Sequence, residues 1–225
     1  MKLFVDTGSI KDVETLAALG ILDGVTTNPS LLAKESGDYR QNLKRICDIV
    51  KGPVSGEVTA TDFAGMISQG HDIARIDQHM VVKVPLTRDG IRACKALSSE
   101  GLKVNVTLVF TPAQALLAAK AGATFVSPFV GRLDDISTNG MEVVREIVEI
   151  YDNYEFKTEV LVASCRHPLH VIEAARMGAD IATCPPAVID ALFNHPLTTS
   201  GLEKFLKDWD KAHAAESVAH ATVKA

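Results

Sequence analysis

The segment Met80-Val81-Val82-Lys83-Val84-Pro85 places a lysine inside a run of apolar, mostly β-branched residues. A short continuous run of this kind is typical of a strand that is buried on both faces in a parallel sheet. A buried ammonium group is costly, so it either finds an anionic partner or becomes a neutral amine. A neutral amine attacks carbonyl groups, which makes Lys83 a candidate for Schiff-base chemistry. Two other interpretations stay open at this point, an edge strand with Lys83 in water and a structural ion pair.

Outward from this segment, short apolar runs alternate with helical patterns along almost the whole chain. The helical patterns include residues 9–19, 39–50, 88–100, 112–121, 140–151 and 167–177. Eight β/α units in a chain of this length predict an α/β fold, the (β/α)8 or TIM barrel. The eight strand-like runs are residues 2–6, 24–26, 54–58, 81–85, 103–107, 124–127, 159–163 and 180–183.

Helix boundaries are marked by local signals. Thr111-Pro112 has an N-cap residue before a proline at the first helical position, and His167-Pro168 has the same spacing. Gly122 and Gly178 each follow a helical pattern and precede a strand, as a C-terminal capping glycine does. These signals favour the same alternation of helices and strands.

The C-terminal region has no strand to cover. Its apolar residues Leu202, Phe205, Leu206 and Trp209 lie at i, i+3, i+4 and i+7, which predicts a helix over about residues 202–213. This helix either caps the barrel or packs against another subunit. We predict a barrel domain over residues 1–195 and a C-terminal helix with a flexible tail over residues 196–225, frayed from about residue 216.

Composition and charge exclude several classes of protein. The 225 residues carry a formal net charge of −5, which argues against broad binding of nucleic acid or anionic membranes. The four cysteines are widely spaced without ligand-like spacing, so we expect no disulfide framework and no zinc site. The chain opens with a strand-like run and has no apolar run of about 18 residues. We therefore expect a soluble, cytoplasmic protein.

Polar residues recur at the carboxyl ends of the predicted strands, where the active site of such a barrel lies. By residue type, Lys83 is the candidate nucleophile, and Asp6 and Glu57 are the candidate acid and base. Each residue also has a structural interpretation: Asp6 as a helix N-cap and Glu57 as the ion-pair partner of Lys83. The polar positions are Asp6, Thr7, Thr26, Thr27, Asn28, Glu57, Lys83, Asn105, Thr107, Ser127, Arg132, Ser164 and Arg166.

Two arginines and a hydroxyl follow the sixth and seventh predicted strands. Arg132, Ser164 and Arg166 have the residue types of a phosphate clamp, at a common location for one in a barrel. Scattered surface arginines are the alternative, with Arg132 pairing with the Asp134-Asp135 dipeptide. His167 and His170 have a spacing that could bind metal, but surface histidines on a helix are the favoured interpretation.

Five segments together resemble the transaldolase family, in particular its short subfamily, which includes the fructose-6-phosphate aldolases. The resemblance spans about residues 1–212 and implies a (β/α)8 barrel. It also implies a homo-oligomer, a pentamer or decamer, whose C-terminal helix reaches a neighbouring subunit. It implies sugar phosphates as substrates, with no cofactor and no metal. The segments are FVDT at 4–7, GVTTNPS at 24–30, KVP at 83–85, NVT at 105–107 and SPFVGR at 127–132.

The resemblance implies a role for each matching residue. Lys83 forms a Schiff base with the ketone of the substrate, and Asp6 accepts and returns the proton of the hydroxyl at the bond that is cleaved. Glu57 and Thr107 hold the water that relays protons during dehydration. The implied substrate-binding residues are Asn28 and Asn105 for the dihydroxyacetone part, with Thr27 or Ser164 nearby, Phe129 beside them, and Arg132, Ser164 and Arg166 for the phosphate.

Two positions separate transfer from simple cleavage within the resembling family. The aldolases that release dihydroxyacetone carry Gln in place of Glu57 and Tyr in place of Phe129. The sequence therefore predicts transfer of a dihydroxyacetone unit from sedoheptulose 7-phosphate or fructose 6-phosphate to glyceraldehyde 3-phosphate or erythrose 4-phosphate, in the non-oxidative pentose phosphate pathway. The alternatives are a fructose-6-phosphate aldolase, a phosphate-binding isomerase or epimerase, and a non-catalytic sugar-phosphate sensor or structural ring.

Overall fold

Eight parallel strands form a closed barrel in the computed structural model, which describes residues 1–222 and, beyond residue 213, the backbone alone. Each strand pairs with the next, and the last pairs with the first. The predicted (β/α)8 barrel is confirmed, with strand bounds within two residues of those predicted. The strands are β1 Lys2–Asp6, β2 Gly24–Thr26, β3 Val54–Glu57, β4 Met80–Pro85, β5 Val104–Val109, β6 Phe125–Pro128, β7 Glu159–Val162 and β8 Ile181–Cys184.

Helices follow the strands around the barrel. Two short helices, α2 and α7, begin directly after β2 and β6 and carry polar residues at the carboxyl ends of these strands. The helices are α1 Ile10–Ala17, α2 Pro29–Leu32, α3 Tyr39–Val50, α4 Phe63–Ala74, α5 Arg88–Ser99, α6 Pro112–Ala121, α7 Val130–Asp134, α8 Gly140–Asn153, α9 Pro168–Met177, α10 Pro186–Ala191 and α11 Pro196–Thr222.

The predicted helix boundaries are confirmed at the marked positions. The Thr111 hydroxyl accepts a hydrogen bond from the Gln114 N–H at the start of α6. Gly122 and Gly178 cap α6 and α9 with φ near +85°, a left-handed conformation that glycine adopts without steric cost. His167 occupies the N-cap position of α9, but its side chain makes no cap hydrogen bond.

An apolar layer fills the lower part of the barrel interior. Phe4 and Phe125 pack edge to face with their ring centroids 6.2 Å apart, and Val81, Leu161 and Ile181 lie beside them in the same apolar cluster. Because side chains alternate along a strand, the residues two positions later also face the interior. Those residues, at the carboxyl end, are Asp6, Ser127, Lys83, Ala163 and Thr183.

A larger apolar cluster lies between the barrel and its helices. It includes Cys47 and Cys94, which are both buried free thiols. Burial raises the pKa of each of these thiols to about 12, which keeps them protonated and unreactive at neutral pH. Among the residues described, no helix is long and apolar enough to cross a membrane.

The chain divides into two compact units, Met1–Ile189 and a second that begins at Asp190. Within the second unit, α11 begins six residues before the predicted helix and continues through the predicted tail to Thr222. Alanine has the highest helix propensity, and this region of the sequence is rich in it, which favours the longer helix. Residues 223–225 of the predicted tail lie outside the described residues.

Candidate active site

Lys83 lies at the centre of the carboxyl end of the barrel, almost fully buried. The strand register pairs it with Glu57 of β3 on one side and Asn105 of β5 on the other. Its ammonium nitrogen is 3.0 Å from Glu57 Oε2, and it donates a hydrogen bond of 3.0 Å to the Thr27 carbonyl. A carboxylate and a carbonyl therefore compensate the buried charge. The ion pair considered from the sequence is present, and its carboxylate can accept the proton that the amine must lose before attacking a carbonyl.

Asp6, at the end of β1, is held by two threonine hydroxyls in series. The Thr26 hydroxyl donates to Asp6 Oδ1 at 2.7 Å and lies 2.7 Å from the Thr183 hydroxyl. Burial raises the pKa of Asp6, and the Thr26 hydrogen bond and the positive charge of Lys83 oppose this rise in part. A carboxyl group with a raised pKa holds a proton more readily than a free carboxyl group does, which suits a residue that both takes and returns a proton.

Asn105 is fixed by two serines within the barrel. Its side-chain nitrogen donates to the Ser55 hydroxyl at 3.3 Å, and its oxygen accepts from the Ser127 hydroxyl at 2.8 Å. The two serines hold the amide group in place, and its second N–H is available to a ligand. Ser55 was missed from the sequence; its place two residues before Glu57 on one strand is the signal that could have identified it.

The Thr107 hydroxyl is buried and has no hydrogen-bond partner among the described residues. An unsatisfied buried hydroxyl is costly, so it is an available donor and acceptor for a bound molecule. By contrast, the Thr27 hydroxyl donates to the Ser55 carbonyl at 2.7 Å. Thr27 thus contacts Lys83 through its backbone rather than through its side chain.

A cavity of about 110 Å³ opens at this end of the barrel. Asn28 lines it from the start of α2, where its side-chain oxygen caps the helix by accepting from the Leu31 N–H at 3.0 Å. Glu57 borders a different cavity, of about 470 Å³, next to α2, α3 and α4. The residues of the smaller cavity that the sequence singled out are Asp6, Thr26, Asn28, Lys83, Ser127, Phe129, Arg132 and Ser164.

Phe129 and Arg132 form one wall of the smaller cavity. The Arg132 guanidinium lies 4.9 Å from the centroid of the Phe129 ring, within range of a cation–π interaction. Phe129 also packs edge to face against Phe110, with centroids 6.0 Å apart. The aromatic ring therefore positions the arginine beside the cavity, where it can meet an anion.

Arg166 lies at the rim and does not line the cavity. It donates to Asp135 Oδ2 at 2.8 Å, and both side chains are more than half exposed. The alternative in which Arg132 pairs with Asp134 or Asp135 is wrong, because Asp135 pairs with Arg166, and Asp134 with a histidine of α9. Sequence neighbours on the single turn of α7 point in different directions, which explains the difference.

The loop after β7 packs closely on α7. The Gly131 N–H donates to the Ser164 carbonyl at 3.1 Å, and a Cβ at position 131 would lie 2.3 Å from that carbonyl oxygen. Only glycine allows this approach. Arg132 and Ser164, which are distant in sequence, are brought to one edge of the cavity by this contact.

Of the two histidines at the start of α9, one differs from expectation. His170 is buried, with its Nε2 atom 2.9 Å from Asp134 Oδ2, so its assignment as a surface histidine is wrong. The ring lies between Asp134, the last residue of α7, and the ring of His167, with centroids 3.9 Å apart. His167 is exposed as expected. Among the described residues, no group of three or more His, Cys, Asp or Glu side chains is arranged to hold a metal ion.

Comparison with known proteins identifies close relatives. The chain is 59% identical over 215 residues to a probable transaldolase of Anaeromyxobacter sp. (strain K), covering 96% of this chain and 99% of the relative. It is 54% identical over 211 residues to a probable transaldolase of Kosmotoga olearia, covering 94% and 97%. A third probable transaldolase, from Nitrosopumilus maritimus, is 55% identical over 215 residues, covering 95% and 97%.

A solved structure shares the fold at low sequence identity. A cube-shaped, porous cage designed by fusing symmetric oligomeric domains matches with a TM-score of 0.63 and 13% identity, covering 100% of this chain and 82% of that chain. The family described as transaldolase/fructose-6-phosphate aldolase matches residues 3–223. The protein is therefore an enzyme that belongs to the transaldolase/fructose-6-phosphate aldolase family.

Proposed function

We propose that the enzyme is a transaldolase that moves a dihydroxyacetone unit between sugar phosphates through a Schiff base on Lys83. The donor is sedoheptulose 7-phosphate or fructose 6-phosphate, and the acceptor is glyceraldehyde 3-phosphate or erythrose 4-phosphate. We assign the reaction to the non-oxidative pentose phosphate pathway in the cytoplasm. The observation that carries the proposal is the buried amine of Lys83 between the carboxylate of Glu57 and a cavity lined by Asp6.

The imine forms and serves as the electron sink. Glu57 accepts a proton from the Lys83 ammonium, and the free amine adds to the ketone carbon C2 of the donor to give a carbinolamine. Loss of water, assisted by Glu57 and a water molecule on the Thr107 hydroxyl, gives the iminium. The position of Glu57 at 3.0 Å from the amine and the unpaired hydroxyl of Thr107 support these roles.

Cleavage of the donor follows formation of the iminium. Asp6 takes the proton of the C4 hydroxyl, the C3–C4 bond breaks, and its electron pair moves into the iminium to give a neutral enamine. The aldehyde product leaves, the acceptor aldehyde enters, and Asp6 returns the proton in the reverse sequence. The raised pKa of Asp6 supports this role, because the group must both take and release a proton.

Two groups of residues bind the two ends of the substrate. Asn28 and Asn105 bind the hydroxyls of the dihydroxyacetone unit, with Thr27 nearby. Arg132, Ser164 and Arg166 bind the phosphate, whose binding energy holds the reacting bond in place. For Arg166, substrate would compete with Asp135, so we propose that its guanidinium turns toward the phosphate from the rim.

The proposed partners of the enzyme are sugar phosphates and further copies of the chain, not nucleic acid or membranes. The net charge of −5 supports the exclusion of polyanions. The apolar stripe of α11 supports a homo-oligomer, a pentamer or decamer. Leu202, Phe205, Leu206 and Trp209 are each more than half exposed, and a stripe of large apolar side chains on one helix is typical of an interface.

Transfer requires that the enamine survives until an acceptor arrives. We expect wild-type enzyme with fructose 6-phosphate to form glyceraldehyde 3-phosphate steadily only when erythrose 4-phosphate is added, because Phe129 has no hydroxyl to position a hydrolytic water. A coupled dehydrogenase assay measures the product. Phe129→Tyr, which differs by that hydroxyl alone, should raise the release of free dihydroxyacetone. Steady product without acceptor in the wild type would instead identify a fructose-6-phosphate aldolase.

Asp6→Asn should separate catalysis from stability. The pKa of Asp6 is raised in the folded state, so the ionised form costs stability above that pKa, and the cost fades as the pH falls through it. We therefore expect the variant to melt at a higher temperature than the wild type at pH 8, with the gap narrowing toward pH 4. We also expect kcat to fall by about 100-fold or more. A lower melting temperature at pH 8 would contradict this assignment of the pKa shift.

The oligomer can be tested through the α11 stripe. We expect Phe205→Ser combined with Trp209→Ser to shift the enzyme to smaller species in light scattering, because the pair removes large apolar side chains from the stripe. Lys207→Ser, outside the stripe on the same helix, is the matched control and should leave the mass unchanged. A wild-type mass equal to one chain would refute the oligomer.

A further inference from the structure

His170 is buried in the first turns of α9, and both of its ring nitrogens are engaged. Nδ1 accepts a hydrogen bond of 3.2 Å from the backbone N–H of Arg166, and Nε2 lies 2.9 Å from Asp134 Oδ2. Because a backbone N–H can only donate, Nδ1 must be unprotonated and the ring proton is on Nε2, where it donates to Asp134. The structure thus assigns one neutral tautomer to this histidine.

The two partners of His170 belong to the two segments that carry the proposed phosphate-binding groups. Asp134 is the last residue of α7, two positions after Arg132, and its other oxygen accepts from the Gly140 N–H at 3.0 Å. Arg166 follows Ser164 in the loop between β7 and α9. One imidazole ring therefore connects the helix of Arg132 to the loop of Ser164 and Arg166.

The loop needs external support. Ser164 has a φ of +60°, in the left-handed region that is unfavourable for a residue with a side chain. Such a conformation persists only where surrounding contacts hold it. The Val130 N–H bond to the Ala163 carbonyl supports the loop before Ser164, and the Gly131 N–H holds the Ser164 carbonyl itself. The His170 bond to the Arg166 N–H supports the loop after Ser164.

We propose that neutral His170 is a positioning residue, which holds the Ser164–Arg166 loop and the Arg132 helix together as one binding site for the dianionic phosphate of the substrate. The inference rests on the proposed function, since it takes the anion to be a phosphate ester bound by these residues. His170 acts through its two hydrogen-bond partners and does not itself touch the substrate.

Protonation of His170 would release the loop, because a protonated Nδ1 donates and can no longer accept from the Arg166 N–H. Burial and the ring of His167, with centroids 3.9 Å apart, lower the pKa of His170, while Asp134 on α7 and Glu173 on α9 oppose the decrease. The folded state thus favours the neutral ring. The contribution of the neutral ring to the stability of the folded state is complete above the ordinary histidine pKa. It declines as the pH falls toward the lowered pKa of His170. Anion affinity should decline as the pH falls through the lowered pKa of folded His170, because that is where the ring takes up its second proton.

The test uses inorganic sulfate, which remains a dianion from pH 8 to pH 5.5, titrated into the full-length enzyme by calorimetry. At pH 8 we expect His170→Ala to weaken sulfate binding about tenfold, since the half-buried Arg166 N–H loses its acceptor and the loop loses this support. His170→Asn places an oxygen near the Nδ1 position and should stay within about threefold of wild type, whereas His170→Gln reaches only Asp134 and should resemble the alanine variant. His71→Ala, at a histidine paired with Glu100, is the control.

A pH series identifies the titrating group. Wild-type sulfate affinity should fall between pH 8 and pH 5.5, and the fall should disappear in His170→Asn, which cannot titrate. His167→Gln should keep the fall but move it to higher pH, because His167 no longer lowers the pKa of His170; if its profile becomes flat, His167 is the titrating group and the proposal is wrong. Equal sulfate affinity in wild type and His170→Ala, or no sulfate binding by wild type at millimolar concentrations, would also overturn it.

Kinetics separates positioning from general loss of structure. His170→Ala should raise KM for fructose 6-phosphate about tenfold with kcat nearly unchanged, while kcat/KM for the phosphate-free pair of fructose and glyceraldehyde stays at the wild-type value. Equal losses for both pairs would contradict the inference. Sulfate binding that depends on His170 in an enzyme without transfer activity would refute the proposed function alone. If the alanine variant does not fold, the comparison of His170→Asn with His170→Gln decides.

Discussion

The structure depends on a buried charge, the Lys83 ammonium in the barrel interior, and on the two oxygens that compensate it. Glu57 and the Thr27 carbonyl are each 3.0 Å away. Both come from neighbouring strands or strand ends, so the ion pair requires the parallel register of β2, β3 and β4. Removal of one partner from such a buried pair typically costs about 3–5 kcal/mol. The interaction that prepares the amine for chemistry thus also constrains the barrel.

The interior is divided into an apolar lower layer and a polar upper layer by the two-residue period of the strands. Phe4 lies below Asp6 and Val81 below Lys83, so the packed layer closes the barrel from one end and directs the reactive groups toward the other. The two carboxyl groups differ in their surroundings. Burial raises the pKa of Asp6, whereas Glu57 pairs with the Lys83 ammonium at 3.0 Å. Two carboxyl groups in different surroundings can take two different roles.

Much of the fold and of the site could be predicted from residues whose signal is local. Lys83 is out of place in an apolar run, Thr111-Pro112 and Gly122 mark helix ends, and Asn105 and Thr107 share a strand face by alternation. These features depend on a few neighbouring positions, so one sequence is enough to find them.

The rest depends on contacts between distant segments. Arg166 pairs with Asp135, and His170 with Asp134, only because the loop after β7 packs on α7 at Gly131. No spacing in the sequence indicates that approach, and a lone histidine on a helix is more often a surface residue. The short helices α2 and α7 were likewise missed, because four or five residues carry no periodic pattern.

The most direct test of the imine mechanism is reduction of the enzyme with sodium borohydride in the presence of fructose 6-phosphate, followed by peptide mass spectrometry. The mechanism predicts a reduced three-carbon or six-carbon adduct on the peptide that contains Lys83 and none in the Lys83→Arg variant. A turning-over enzyme with no adduct, or with an adduct on another lysine alone, would contradict it and favour chemistry in which Asp6 and Glu57 act without a covalent intermediate.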